Sequence, residues 1–224
     1  MGAYGVVLKA INKQTKELLA IKKFKESDEN PIIRKIALRE VKALKTLQHE
    51  NIVEFKEAFR KESKLNIVFE FIQKTVLEDI ENNPQGIQQD LIKSYTFQLL
   101  KGLRFMHQKG YVHRDIKPEN LLVDSKGTLK LCDFGFTRPM AQDDGKDVPF
   151  LTNYVATRWY RSPELILSNN YGKEVDLWAV GCIIGELMDG QPMFPGDNTV
   201  DQIYHIVNLL GPFPEHLEKL FYKN

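Results

Sequence analysis

The sequence predicts an α+β chain in two unequal parts: a small antiparallel sheet with one helix over residues 1–72, and a mainly helical part over 73–224. Three observations carry this. Strand-like runs separated by polar turns flank a single stretch of helical period in the first third. Past residue 90 the apolar residues recur mostly at three- and four-residue spacing. The 224 residues, 42% hydrophobic and 27% charged, suffice for one large domain or two small lobes with a real core.

Residues 4–10 and 18–24 read as strands joined by the polar turn "NKQTK". Asn30 then Pro31 is a helix start, with the asparagine as cap and the proline in the first turn. Ile33, Ile36, Ala37, Val41, Leu44 and Leu47 mark the buried face of that helix. Two further strands, "NIVEFKEAF" at 51–59 and "KLNIVFEFI" at 64–72, complete the sheet. The next helix has Leu91 or Ile92, Tyr95, Leu99, Leu103 and Met106 on one face, with Asp90 as its cap and Gly110 at its end. Short strands "LLV" and "TLKL" follow, then a long segment of weak periodicity over 133–164. "EVDLWAVGCIIGELMDG" is apolar nearly all round and too short for a membrane, so it is expected as a buried central helix. An amphipathic helix over "NTVDQIYHIVNLLG" is expected to be the last, closed by Gly211 and Pro212.

The charge balance, 31 basic against 30 acidic residues, leaves +1 and argues against a partner bound by bulk neutralisation of nucleic-acid phosphates. No apolar run reaches membrane-span length, and the first residues lack a signal-peptide pattern. Cys132 and Cys182, in apolar surroundings, read as reduced core residues of a cytosolic protein.

The stretch "YVHRDIKPENLLV" crowds His113, Arg114, Asp115, Lys117 and Glu119 around Pro118. Three other groups stand apart from it: Gly2 and Gly5 before the first strand, Lys22 in "LAIKKF", and Glu40 on the first helix. Each alone reads blandly, as a turn, an outward lysine or a surface acid. Together with Asn120, Asp133 in "CDFG" and "SPE" at 162–164, their order and spacing resemble the signature of protein kinases.

The resemblance implies a bilobal kinase-like fold, small N-lobe and helical C-lobe, incomplete at both ends. It also implies chemistry that needs alignment and charge neutralisation more than covalent help. ATP and Mg2+ are the expected cofactors. Asp115 would accept the substrate hydroxyl's proton, Lys117 would neutralise the moving phosphate, and Lys22, fixed by Glu40, would hold the α/β-phosphates. Asn120 and Asp133 would supply oxygen ligands to magnesium. Backbone amides of the Gly2–Gly5 turn would cover the phosphates. Val7, Ala20 and Leu122 would sandwich the adenine, the main chain at Glu70 and Ile72 would meet its edge, and Phe69 would stand behind it.

Lys117 points to serine/threonine substrates. The segment "TNYVATRWYRSPE", residues 152–164, with "RKIALREVKALK", "TVL" after the hinge and "DFGFTR", is most similar to the cyclin-dependent-kinase-like family. Mitogen-activated and conventional cyclin-dependent kinases are the alternative. That similarity makes Thr152 and Tyr154 a dual phosphorylation motif, set by an upstream kinase or by the chain itself. Arg39, Arg114 and Arg138 are the expected partners of a phosphate on Thr152, and Arg158 and Arg161 of one on Tyr154. Arg161 favours a proline or small residue after the target serine or threonine. Tyr4 occupies the position of an inhibitory phosphotyrosine in cyclin-dependent kinases, and Cys132 borders the ATP pocket as a core residue or, alternatively, a reactive thiol. Protein substrates, a monomer, no implied cyclin, and a cytoplasmic, nuclear or ciliary location follow as expectations.

The pattern departs from the family at the first glycine of the loop, which is missing, and at the C-terminal helices, one of which would bring an arginine to Glu164. A catalytically inactive fragment acting as a binding module is therefore the second functional class.

Overall fold

The computed structural model describes residues 5–24, 31–62, 64–140, 158–168 and 171–221. The first part is a four-stranded antiparallel sheet, β1 (Gly5–Ile11), β2 (Leu18–Phe24), β3 (Phe55–Lys61) and β4 (Lys64–Glu70), in the order β1-β2-β4-β3. In the β1–β2 connection, Asn12 Oδ1 accepts from the amides of Gln14 and Thr15 and Lys16 takes a left-handed φ of 63°, which turns the chain tightly. Helix α1 (Pro31–Thr46) begins at the expected proline; its expected cap, Asn30, lies outside the described residues. Ile36, Glu40 and Leu44, four residues apart, form one fully buried row of α1.

The strand expected from residue 51 starts later, at Phe55. Residues 51–53 instead pair across to the second part: Val53 N–H donates to the Leu131 carbonyl at 3.0 Å, and Leu131 N–H to the Asn51 carbonyl at 3.0 Å. Asn51 Nδ2 adds a bond of 2.9 Å to the Leu129 carbonyl. The run "NIV" has strand composition, but its backbone partners belong to a different sheet. Likewise β4 ends at Glu70, not Ile72.

The second part begins with β5 (Lys74–Thr75) and α2 (Val76–Asn82), whose cap Thr75 accepts from the Glu78 amide. Helix α3 (Gln89–Gln108) is 20 residues long. Its cap is Gln88, without a side-chain bond; Asp90 lies in the first turn, where a carboxylate still faces the positive end of the helix. Of the two alternatives, Ile92 is the buried residue and Leu91 the exposed one. Gly110, at φ 78°, ends the helix as expected. Then come β6 (Tyr111–Val112), a single 3-10 turn over Pro118–Asn120, β7 (Leu121–Val123), β8 (Leu129–Leu131) and β9 (Arg138–Pro139). β5, β7 and β8 form one small sheet and β6 and β9 another.

Helices α4 (Pro163–Leu167), α5 (Glu174–Asp189), α6 (Thr199–Leu210) and α7 (Glu215–Phe221) complete the described chain. α5 is central but not buried all round: Leu177 and Met188 lie on an outward face, 48% and 63% exposed. The helix is so rich in apolar residues that this face leaves almost no polar mark in the sequence. α6 is not the last helix, since α7 follows the break at Gly211 and Pro212. One apolar cluster runs through both parts, from Phe24, Leu44 and Ile67 to Leu103, Leu131 and Ile183. A smaller one joins Val112, Leu165 and Val175, with Tyr171 against it. Among the described residues, no helix is long and apolar enough to cross a membrane.

Candidate active site

The two parts meet at a cluster of charges. Lys22, on β2, places its Nζ 2.9 Å from both carboxylate oxygens of Glu40 and 2.8 Å from Asp133 Oδ1. Glu40 is buried there because it occupies the middle of the buried row of α1, and its carboxylate meets Lys22 of β2. Burial pushes the Glu40 carboxyl up to about 7, with Lys22 pulling the other way and Asp133 adding to the rise. Burial works against the Lys22 charge too, but the two carboxylates outweigh it and hold the ammonium well above the usual lysine range. Burial opposes the Asp133 charge as well; Lys22 overcomes it and keeps that carboxyl below its ordinary value.

Asp133 adopts a left-handed φ of 59°. Gly135 donates its N–H to Asp133 Oδ1 at 3.3 Å, and a Cβ on it would lie 3.3 Å from that oxygen and 3.7 Å from Glu40 Oε2. The glycine therefore lets the backbone approach both acids. Phe134, fully buried, meets the His113 ring edge-on at 5.2 Å, and His113 Nε2 lies 3.1 Å from the Cys132 carbonyl.

The crowded stretch 113–120 forms a second cluster. Asp115 Oδ2 accepts from Asn120 Nδ2 at 3.0 Å and lies 3.3 Å from Lys117 Nζ. Asn120 Nδ2 also donates to the Asp115 carbonyl at 2.8 Å, which leaves the amide oxygen of Asn120 as its atom for a cation. Burial would lower the Lys117 ammonium, and Asp115 more than reverses it. Cys132 N–H donates to the Asn120 carbonyl at 2.9 Å and ties this loop to the segment carrying Asp133.

What fixes the loop is a residue that the sequence reading passed over. Asp176, 1% exposed in the first turn of α5, accepts from the amides of His113 at 2.9 Å and Arg114 at 2.8 Å, and its Oδ2 lies 2.8 Å from His107 Nε2. The one signal was an aspartate next to the long apolar run of α5, since a buried acid needs partners. A second unread pair is Glu70 with Lys130, at 2.7 and 2.9 Å, with Glu70 also accepting from the Glu54 amide.

For the nucleotide, Ala20 stands opposite Phe69 in the β2–β4 register; Phe69 is buried, Ala20, Ile72 and Leu122 partly so, and Val7 is 61% exposed. Gly5 starts β1; Gly2 and Tyr4 lie outside the described residues. So do Thr152 and Tyr154. Of the arginines, Arg114 and Arg161 are buried, Arg39 and Arg158 half-buried, and Arg138 stands opposite Val112 in the β6–β9 pair. Glu164 lies half-buried in the first turn of α4.

The donors fit magnesium. Asp133 and the Asn120 amide oxygen are hard oxygen ligands, and a site with few protein ligands suits a cation that keeps water and phosphate oxygens around it. Among the described residues, no group of three or more His, Cys, Asp or Glu side chains forms a self-sufficient metal cage.

Burial pushes the Cys132 thiol far above its ordinary range, with Asp133 adding to the effect, and burial raises the Cys182 thiol to about 12. Packing, not reactivity, describes both. Iodoacetamide at pH 7.5 is expected to leave the two thiols unmodified in the folded chain and to label both in denaturant; mass spectrometry showing rapid native labelling of Cys132 would contradict this.

A sheet with one helix, a helical partner and a lysine clamped between acids from α1 and an Asp-Phe-Gly turn define a protein kinase domain. Residues 1–219 match the family model "Protein kinase domain", and the chain belongs to that family. Over its whole length it is 54% identical to cyclin-dependent kinase-like 5 of Mus musculus, 48% to cyclin-dependent kinase-like 2 of Pongo abelii and 46% to cyclin-dependent kinase-like 4 of Mus musculus. Within the kinases these relatives are all cyclin-dependent kinase-like proteins, to which the chain is similar. The chain spans 24%, 45% and 64% of those relatives' lengths.

Proposed function

We propose that this domain transfers the γ-phosphate of magnesium-bound ATP to serine or threonine hydroxyls of proteins. The observation that carries the reading is the Lys22 ammonium held at once by Glu40 and Asp133, next to a loop in which Asp115, Lys117 and Asn120 already touch. Magnesium, when bound by Asp133 and Asn120, supplies charge neutralisation at the phosphate oxygens. Lys22 adds a positive charge to the same oxygens. The substrate hydroxyl oxygen forms its bond to the γ-phosphorus as the bond to the β–γ bridging oxygen breaks; its proton passes to the Asp115 carboxylate, and ADP leaves. Lys117 beside Asp115 offsets charge on the moving group.

Phosphate on Thr152 would bring a charge near −2 to Arg39, Arg114 and Arg138, and the dual Thr152/Tyr154 motif is proposed as the switch. The test is transfer of labelled phosphate to serine/threonine peptides. Transfer should require magnesium, fall after phosphatase treatment and vanish in Asp115→Asn. Nucleotide binding with no transfer under any condition would overturn the catalytic reading and leave a binding module.

A further inference from the structure

Arg114 is a buried cation without a carboxylate at ion-pair distance among the described residues. Its side chain is enclosed, its backbone has a left-handed φ of 70°, and its Nε donates to the Phe136 carbonyl at 2.7 Å. The guanidinium's other protein partner is neutral: Nη1 bonds to the hydroxyl of Tyr171, whose ring centroid lies 5.8 Å from the guanidinium carbon. Burial pulls the guanidinium down from its ordinary value, and Tyr171 is the leading group that opposes this. Tyr171 is itself anchored, against Val112, Leu165 and Val175.

The placement is specific. Tyr171 precedes α5 and Asp176 lies in its first turn, so the start of one helix grips Arg114 at both ends, the phenol at the guanidinium and the carboxylate at the backbone N–H. From Arg114 the chain leads to Asp115 in one direction, and the Nε bond leads to the segment after Asp133 in the other. We infer that Tyr171 is a positioning residue for phosphotransfer: its hydroxyl holds Arg114, and Arg114 in turn aligns Asp115 with the Asp133 segment. This rests on the kinase reading above. The role needs no phosphate, since the hydroxyl supplies a polar partner to Nη1 of a buried guanidinium.

The test is Tyr171→Phe in the 224-residue chain, which deletes only the hydroxyl. Loss of one hydrogen bond to a charged group should lower kcat about tenfold with KM for ATP unchanged. Amide hydrogen exchange over residues 113–116 and 136–138 should accelerate by a similar factor, while α3 and the body of α5 keep their protection. Arg114→Lys should give the same signature, and the double variant should be no worse than either alone. Unchanged exchange at both segments would overturn the inference. So would uniform acceleration across the C-lobe with KM rising alongside kcat loss, which is what simple unfolding produces. If the parent chain transfers no phosphate, the kinase reading falls, and the exchange measurement still decides the role of Tyr171.

Discussion

Replacing Asp176 by alanine is expected to cost more stability than any other single change near the site. Its carboxylate, 1% exposed, serves the amides of His113 and Arg114 and the ring of His107. Alanine would leave these donors buried and unanswered, at about 1–3 kcal/mol each. A total of roughly 3–9 kcal/mol would lower the unfolding midpoint by about 10 °C or more in a chain of this size. Activity should fall further than the folded fraction does, because the two amides belong to the residues just before Asp115. Asp176→Asn keeps one acceptor oxygen and should lie between. Calorimetry decides: a midpoint within about 2 °C of the parent would mean that the loop finds its position without this carboxylate.

Lys22→Met is expected to have a large effect on catalysis with a small effect on fold. The substitution preserves much of the side-chain volume and removes the charge between Glu40 and Asp133. Loss of a preorganised electrostatic contact at a reacting group costs about 100-fold to 1000-fold in kcat. The fold should survive because burial already holds the Glu40 carboxyl at about 7. Near neutral pH that group takes up a proton at little cost once its counter-ion is gone. Steady-state kinetics within tenfold of the parent would refute the role given to Lys22; a collapsed midpoint would refute the account of Glu40.

Much of the site was legible because its residues carry local, ordered signals. Asp115, Lys117 and Asn120 sit within one short stretch, and Asp133 is flagged by the phenylalanine and glycine that follow it. Lys22 and Glu40 are 18 residues apart, and only their place in the motif order joined them; in the structure they lie 2.9 Å apart. Asp176, His107 and Tyr171 were not legible for the opposite reason. Their partners lie 57 to 69 residues away and are reached through backbone amides and a buried guanidinium, which leave no spacing rule in the chain. Fold errors have the same origin. Residues 51–53 have strand composition but pair with β8, and α5 hides its outward face behind leucine and methionine.

The attachment of residues 51–53 to β8 also sets how the molecule can flex. That tether lies just past the end of α1, so the helix is pinned at its root while its body is carried by the sheet. Glu40 stands seven residues from Leu47, a lever arm of about 10 Å at 1.5 Å per residue. A tilt of about 5° around Leu47 therefore moves the carboxylate by roughly 1 Å, on a helix of this rise. That displacement is enough to open a 2.9 Å contact with Lys22 while the anchoring hydrogen bonds stay made. Rotation about a fixed fulcrum, without any change in secondary structure, would thus part Glu40 from Lys22 and leave the lysine to Asp133.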